Sequence, residues 1–173
     1  PISCFIIAKN EEDRIEKAIL SVKGLVDEII VIDSGSSDKT EDIVKKHNCY
    51  FIYNEWHGFG PQKRFGEDQC RNDWLLNLDA DEYLTDEIKD EILQIFNSQN
   101  HYNFFSMKVT PIYPNWKKPR LFSASHQCIR LYNKKFGRFS SSAVHDSVET
   151  NNSKIFYLTN HIYHNSVRSF DHL

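Results

Sequence analysis

The opening half of the chain alternates two hydrophobic periods, and few folds satisfy both. Ile2 to Ala8 and Glu28 to Asp33 are apolar runs of buried-strand length. Between them the apolar residues change to helical spacing, with Ile15, Ala18, Ile19 and Val22 at i, i+3, i+4 and i+7. Such alternation predicts an α/β fold, a mostly parallel central sheet with crossover helices. Asn10 stands where it would cap the first helix and Gly24 where it would end it. Ser34-Gly35-Ser36-Ser37 turns the second strand into a helix carrying Ile43 and Val44, and Tyr50 to Tyr53 reads as a third strand. Glu55 to Pro61 is too rich in Gly and aromatics for regular structure, so the next helix is predicted from Gln62 to Cys70. Trp74 to Leu78 makes a fourth strand, and Thr85 caps a helix with Ile88, Ile92, Ile95 and Phe96 on one face. Past residue 100 the helical pattern fades amid Pro111, Pro114 and Pro119, and strands such as Phe104 to Val109 and Gln127 to Tyr132 complete the same sheet.

At 173 residues with 40% hydrophobic content, the chain is the size of one domain, read as spanning 1–173. The 24 acidic against 21 basic residues leave no broad basic surface, so nucleic acid is not an expected partner. Cys4, Cys49, Cys70 and Cys128 are scattered without a C-x-x-C pair, which predicts neither a zinc site nor a disulfide framework and fits a cytoplasmic location. The apolar runs fall far short of the roughly 20 residues that span a bilayer, and no secretory signal is visible. Because the first residue is Pro1 rather than Met, a fragment is expected.

Ligands of open parallel sheets bind beyond the carboxyl ends of the strands. There the first strand ends in Lys9-Asn10-Glu11, the second in Asp33-Ser34-Gly35 and the fourth in Asp79-Ala80-Asp81-Glu82. Residues two apart in a strand face the same way, so Asp79 and Asp81 are predicted to project to one side, where two hard oxygen ligands suit Mg²⁺ or Mn²⁺. On spacing alone the same cluster reads equally well as a polar strand-to-helix turn, and Asp33 as a turn former.

The strings Ile6-Ile7-Ala8-Lys9-Asn10-Glu11-Glu12, Glu28 to Asp38 and Leu78-Asp79-Ala80-Asp81-Glu82, in that order and spacing, resemble family 2 glycosyltransferases, whose fold is the nucleotide-diphospho-sugar transferase type called GT-A. Gly58-Phe59-Gly60-Pro61-Gln62-Lys63 and Val144-His145-Asp146 resemble the branch that adds glucose or another hexose to the inner core of bacterial lipopolysaccharide or lipooligosaccharide. The resemblance runs from Ile2 to about His164. It implies an inverting, metal-dependent hexosyltransferase with a UDP-sugar donor, Mn²⁺ or Mg²⁺, a saccharide or glycolipid acceptor, and peripheral contact with the cytoplasmic face of the inner membrane. It also implies a nucleotide-sugar-binding half over 1–99 and an acceptor-side half over 100–173, cut short at its C-terminus relative to kin that continue further.

Residue by residue, the resemblance places Lys9, Asn10 and Glu11 beside the nucleoside, Asp33 on the base and Asp79 near the ribose. Asp81 resembles the DxD residue that holds the metal on the diphosphate. Lys63 stands where the family often has a basic residue in an Arg-Asn-x-Gly pattern, here Lys63-Arg64-Phe65-Gly66, and would steady the diphosphate. Asp146 resembles the base that deprotonates the acceptor hydroxyl. Among eight histidines, His145, His161, His164 and His172 crowd the C-terminal end, and His164 or His161 is the candidate further metal ligand. Trp56, His57, Phe59 and Trp116 are candidates for stacking on sugar rings.

Where the branch carries a Gly-Gly-Trp stretch, this chain reads Lys118-Pro119-Arg120-Leu121-Phe122-Ser123, which points to a different acceptor. Two rival readings remain. A haloacid-dehalogenase-type phosphatase also uses D-x-D after an apolar strand, but wants Thr or Val where Tyr83 stands and normally places that strand near the start. The other rival is a nucleotide-sugar-binding domain without turnover.

Overall fold

Every residue of β1 (Ile2–Ala8) and β2 (Glu28–Asp33) is buried, as strands covered on both faces require. The computed structural model describes residues 1–98, 101–114, 116, 118–120, 123–144 and 146–168. His145, His172, Leu121 and Phe122, singled out in the sequence, lie outside the described residues. β3 (Tyr50–Tyr53), β2, β1 and β4 (Trp74–Asp79) lie side by side in that order and run parallel. The connections are α1 (Ile15–Val22), α2 (Thr40–Lys46) and α3 (Phe59–Gln69).

Alternation along β1 separates two cores. Cys4, Ile6 and Ala8 join Ile15, Ala18, Ile19 and Val22 of α1 on one face. Phe5 and Ile7 join Ile30, Ile32 and Phe139 on the other, the face that α3 covers. The turn after β4 leads into β5 (Glu82–Leu84) and α4 (Asp86–Asn97), capped by the Thr85 hydroxyl as expected. The sheet then continues as β7 (His126–Asn133), β6 (Phe104–Pro111), β10 (Ile155–His164) and β5, eight strands among the described residues, while β8 (Arg138–Phe139) pairs with β9 (Val148–Glu149). β7 is antiparallel to β4 and β6, β10 parallel to β6 and antiparallel to β5, so the mixed strands expected in the C-terminal half are present. Register sets His164 opposite Glu82, which carries the last described strand back to the acidic turn.

Two local expectations are corrected. Asn10 does not cap α1: it has φ 54°, and its side-chain oxygen accepts from the Ser37 amide at 2.8 Å, tying the β1 and β2 loops together. The helix predicted from Gln62 starts earlier, at Phe59. First-turn amides of a helix need outside acceptors. Here Phe59 N donates to Ala143 O at 3.0 Å and Gly60 N to Ser142 O at 3.1 Å, while Pro61 has no N–H to satisfy. A distant loop supplies these acceptors, so no local signal announces the helix start.

α3 approaches the sheet through Gly66, where an added Cβ would stand 2.6 Å from the Phe5 ring. Phe5 is fully buried and has nowhere to retreat. Gly66→Ala is expected to destabilise the domain by about 1–3 kcal/mol, the range for overpacking a core, read as a lowered urea midpoint; an unchanged midpoint would refute this close packing.

Candidate functional site

The chain leaves β1 toward β2 on one side, and β4 lies on the other, so connections diverge between β1 and β4. Crevices in open α/β sheets form at such a switch. The ends of β1, β2 and β4 meet there. Asp33 is buried, and its Oδ2 accepts from the amides of Gly35 at 2.8 Å and Ser36 at 2.7 Å. Gly35 at φ 97° needs its missing side chain in this turn. Glu11 takes two contacts of 2.7 Å from the Arg14 guanidinium. Lys9, Glu11, Ser34, Trp56, Phe59, Asp79, Ala80, Asp81 and His164 line a cleft of about 390 Å³ above these strand ends.

Both carboxylates of the Asp79–Asp81 pair reach this cleft, but different partners hold them. Asp81 Oδ2 lies 3.2 Å from His164 Nε2 and 3.5 Å from Arg14 Nη1. The hydrogen bond to Asp81 raises the His164 pKa against the opposing effect of burial. His161, the alternative, instead meets the Thr110 hydroxyl at 2.7 Å. Asp79 faces inward. Its Oδ2 accepts from Arg130 Nη2 at 2.9 Å, and its Oδ1 lies 3.0 Å from Lys63 Nζ, an ion-pair contact off hydrogen-bond geometry. Burial alone would raise the Asp79 pKa, yet Lys63 and Arg130 together hold it well below the usual carboxylate range.

The same Arg130 nitrogen donates to Glu82 at 2.5 Å, and Nη1 donates to Asn77 at 2.8 Å. Burial raises the Glu82 carboxyl despite the opposing guanidinium. Lys63 Nζ also donates to Asp146 Oδ2 at 2.5 Å. Glu82, Arg130, Asp79, Lys63 and Asp146 thus form a row of alternating charge. A second cleft, about 440 Å³, lies along this row and is lined by Asp79, Glu82, Arg130, Asp146, Tyr157 and His164 among others. Asp79 and His164 line both clefts.

Of the residues singled out in the sequence, Lys9, Glu11, Asp79, Asp81 and His164 converge on the smaller cleft, and Asp146 on the larger. Asn10 and Asp33 build the loops beneath, and Lys63 is enclosed between Asp79 and Asp146. Trp56 and Phe59 stack edge-to-face at 4.9 Å in the smaller cleft, whereas His57 and Trp116 line neither. Sequence reasoning missed Arg14 and Arg130. Arg14 looks like an ordinary helix-start residue, and Arg130 sits in an apolar strand; a lone Arg between Ile129 and Leu131 is the signal that could have exposed it.

Comparison with known proteins identifies the arrangement. Residues 3–164 match the family described as glycosyl transferase family 2. The chain belongs to that family. It is 45% identical to an uncharacterized glycosyltransferase of Rickettsia bellii over 99% of this chain and 62% of that protein. It is 38% identical to the lipopolysaccharide core biosynthesis glycosyltransferase LpsC of Rhizobium meliloti over 52% of this chain and 35% of LpsC. The chain therefore spans about 62% of the length of the Rickettsia relative. Among solved structures, S. aureus TarS in complex with UDP-GlcNAc superposes with a TM-score of 0.60 at 18% identity, covering 97% of this chain and 59% of TarS. That likeness establishes the GT-A fold. Family membership sets the phosphatase reading aside, since the acidic turn here follows the fourth strand of a glycosyltransferase sheet.

In this family 2 domain, Arg130 is enclosed with Glu82 and reaches the cleft-lining Asp79, and removing one partner of a buried ion pair leaves uncompensated charge. Arg130→Met is expected to lower unfolding stability by about 3–5 kcal/mol; a loss below about 1 kcal/mol in urea titration would mean that the row contributes little.

Proposed function

We propose that this chain is the catalytic domain of an inverting, metal-dependent glycosyltransferase that moves a hexose, glucose foremost, from a UDP-sugar to a saccharide or glycolipid acceptor of the lipopolysaccharide or lipooligosaccharide core. The observation that carries the reading is the shared wall: Asp79 and His164 line both clefts, with Asp81 in one and Asp146 in the other. A reaction between two substrates needs that adjacency. The name of LpsC supports the core acceptor, and the UDP-GlcNAc bound to TarS supports the donor. In this reading residues 1–99 bind the nucleotide sugar and residues 100–173 face the acceptor.

Lys9, Asn10, Glu11, Asp33 and Asp79 then surround the nucleoside. A carboxylate and an imidazole 3.2 Å apart on Asp81 and His164 are a donor set that fits Mn²⁺ or Mg²⁺. Among the described residues no third His, Cys, Asp or Glu completes a cage, so an ion held by Asp81 and His164 would draw its remaining ligands from the diphosphate and water. When bound, the ion neutralises charge on the leaving diphosphate. Asp146 accepts the proton of the acceptor hydroxyl as that oxygen bonds to the anomeric carbon. The bond from that carbon to the diphosphate oxygen breaks, UDP departs, and configuration inverts. Among the described residues no helix is long and apolar enough to cross a membrane; in this proposal a glycolipid acceptor is met by peripheral contact with the cytoplasmic face of the inner membrane.

Asp81→Ala is expected to abolish transfer and the Mn²⁺-dependent component of UDP binding, followed by calorimetry. Asp146→Asn is expected to bind UDP normally and lose transfer by about 100-fold or more. Unchanged transfer in both variants sinks the assignment, as does activity on simple phosphate esters in place of UDP-sugars.

A further inference from the structure

Lys63 stands on α3, and its side chain is fully enclosed. A buried lysine is rare unless its charge is matched. Two carboxylates match it, Asp79 at 3.0 Å and Asp146 at 2.5 Å, and the Phe139 ring covers another side at 5.1 Å. The surrounding charges are Arg130 and Glu82, both reached through Asp79.

Asp146 needs such a partner. The segment 140–147 has no helix or strand among its described residues, and a carboxylate on irregular backbone is poorly fixed. α3 grips this segment at several points. Its first-turn amides bond to Ala143 and Ser142, Arg64 Nη1 donates to Phe139 O just before the segment at 2.7 Å, and an added Cβ on Gly60 would stand 2.3 Å from Ser140 O. Lys63 is the grip that reaches the functional atom itself.

We propose that Lys63 is a positioning residue whose ammonium, anchored by Asp79, holds the Asp146 carboxylate on the wall of the larger cleft where it receives the acceptor's proton. The inference rests on the reading of Asp146 as the base. Asp146 stays 30% exposed in its side chain and lines the larger cleft. Role and scaffold are thereby divided: α3 contributes orientation, and Asp146 contributes chemistry.

The test is a double-mutant cycle in the full-length protein, using UDP-glucose, UDP-galactose and UDP-GlcNAc with Mn²⁺ and lipopolysaccharide core oligosaccharide. Lys63→Met is expected to lower kcat by about 100-fold, with the KM for the UDP-sugar within about threefold of wild type. In an Asp146→Asn background the same change is expected to alter kcat by no more than about twofold, because residues acting as a unit are not additive. A structural role would instead multiply the losses, and that outcome overturns the proposal. Lys63→Gln, which keeps a donor for both carboxylates, is expected to fold and to recover part of the kcat. Wild-type turnover in Lys63→Gln and Lys63→Met, or loss of the native melting transition in both, also overturns it. If Asp146→Asn alone turns over normally, the base assignment has failed and the positioning role falls with it. A wild-type protein that consumes none of the three donors removes the reading on which both rest.

Discussion

Glu82, Arg130, Asp79, Lys63 and Asp146 come from β5, β7, β4, α3 and the loop before β9, and they stand in one row of alternating charge. Burying ions costs several kcal/mol each, so such a row is poor evidence for stability as such. What it does is fix positions. Each charge is compensated only while all five segments keep their places, and a shift of any one leaves a neighbour unpaired, at greatest cost for the buried Glu82, Arg130 and Lys63. The parallel strands on one side and the mixed strands on the other are joined by β4 and β7, the two strands that carry Asp79 and Arg130.

This row also explains the two clefts. The strand ends at the β1/β4 switch open one, and the curl of β6, β7 and β10 with the β8–β9 pair encloses the other. Asp79 belongs to both because it ends the strand between them. α3 runs beneath both, with Phe59 in the smaller cleft and Lys63 against Asp146 in the larger. Glu67, one turn further along, is fully buried and accepts from the Tyr132 hydroxyl at 2.7 Å and the Phe139 amide at 2.8 Å, so the helix holds the C-terminal half along much of its length.

The strands and the helix faces were legible in the sequence because periodicity is local: Ile15, Ala18, Ile19 and Val22 are all buried, as their spacing requires. The convergence of Lys9, Glu11, Asp79 and Asp81 was legible too, from the rule that strand ends gather ligands. Asn10 and the start of α3 were misread for one shared reason. Their hydrogen-bond partners, Ser37 and the 142–143 backbone, lie 27 and some 80 residues away, and no local window contains them.

The amino-acid order by itself determined the α/β alternation, the polar strand ends and the resemblance to family 2 glycosyltransferases, since each is written in neighbouring residues. Tertiary structure alone decided that Asp81 meets His164 rather than His161, that Arg130 neutralises Asp79 and Glu82, and that Lys63 joins Asp79 to Asp146. Charges act through space, falling off with distance between atoms and not with separation along the chain. Only the folded sheet, with α3 packed on it, brings residues 63, 79, 130 and 146 within that reach.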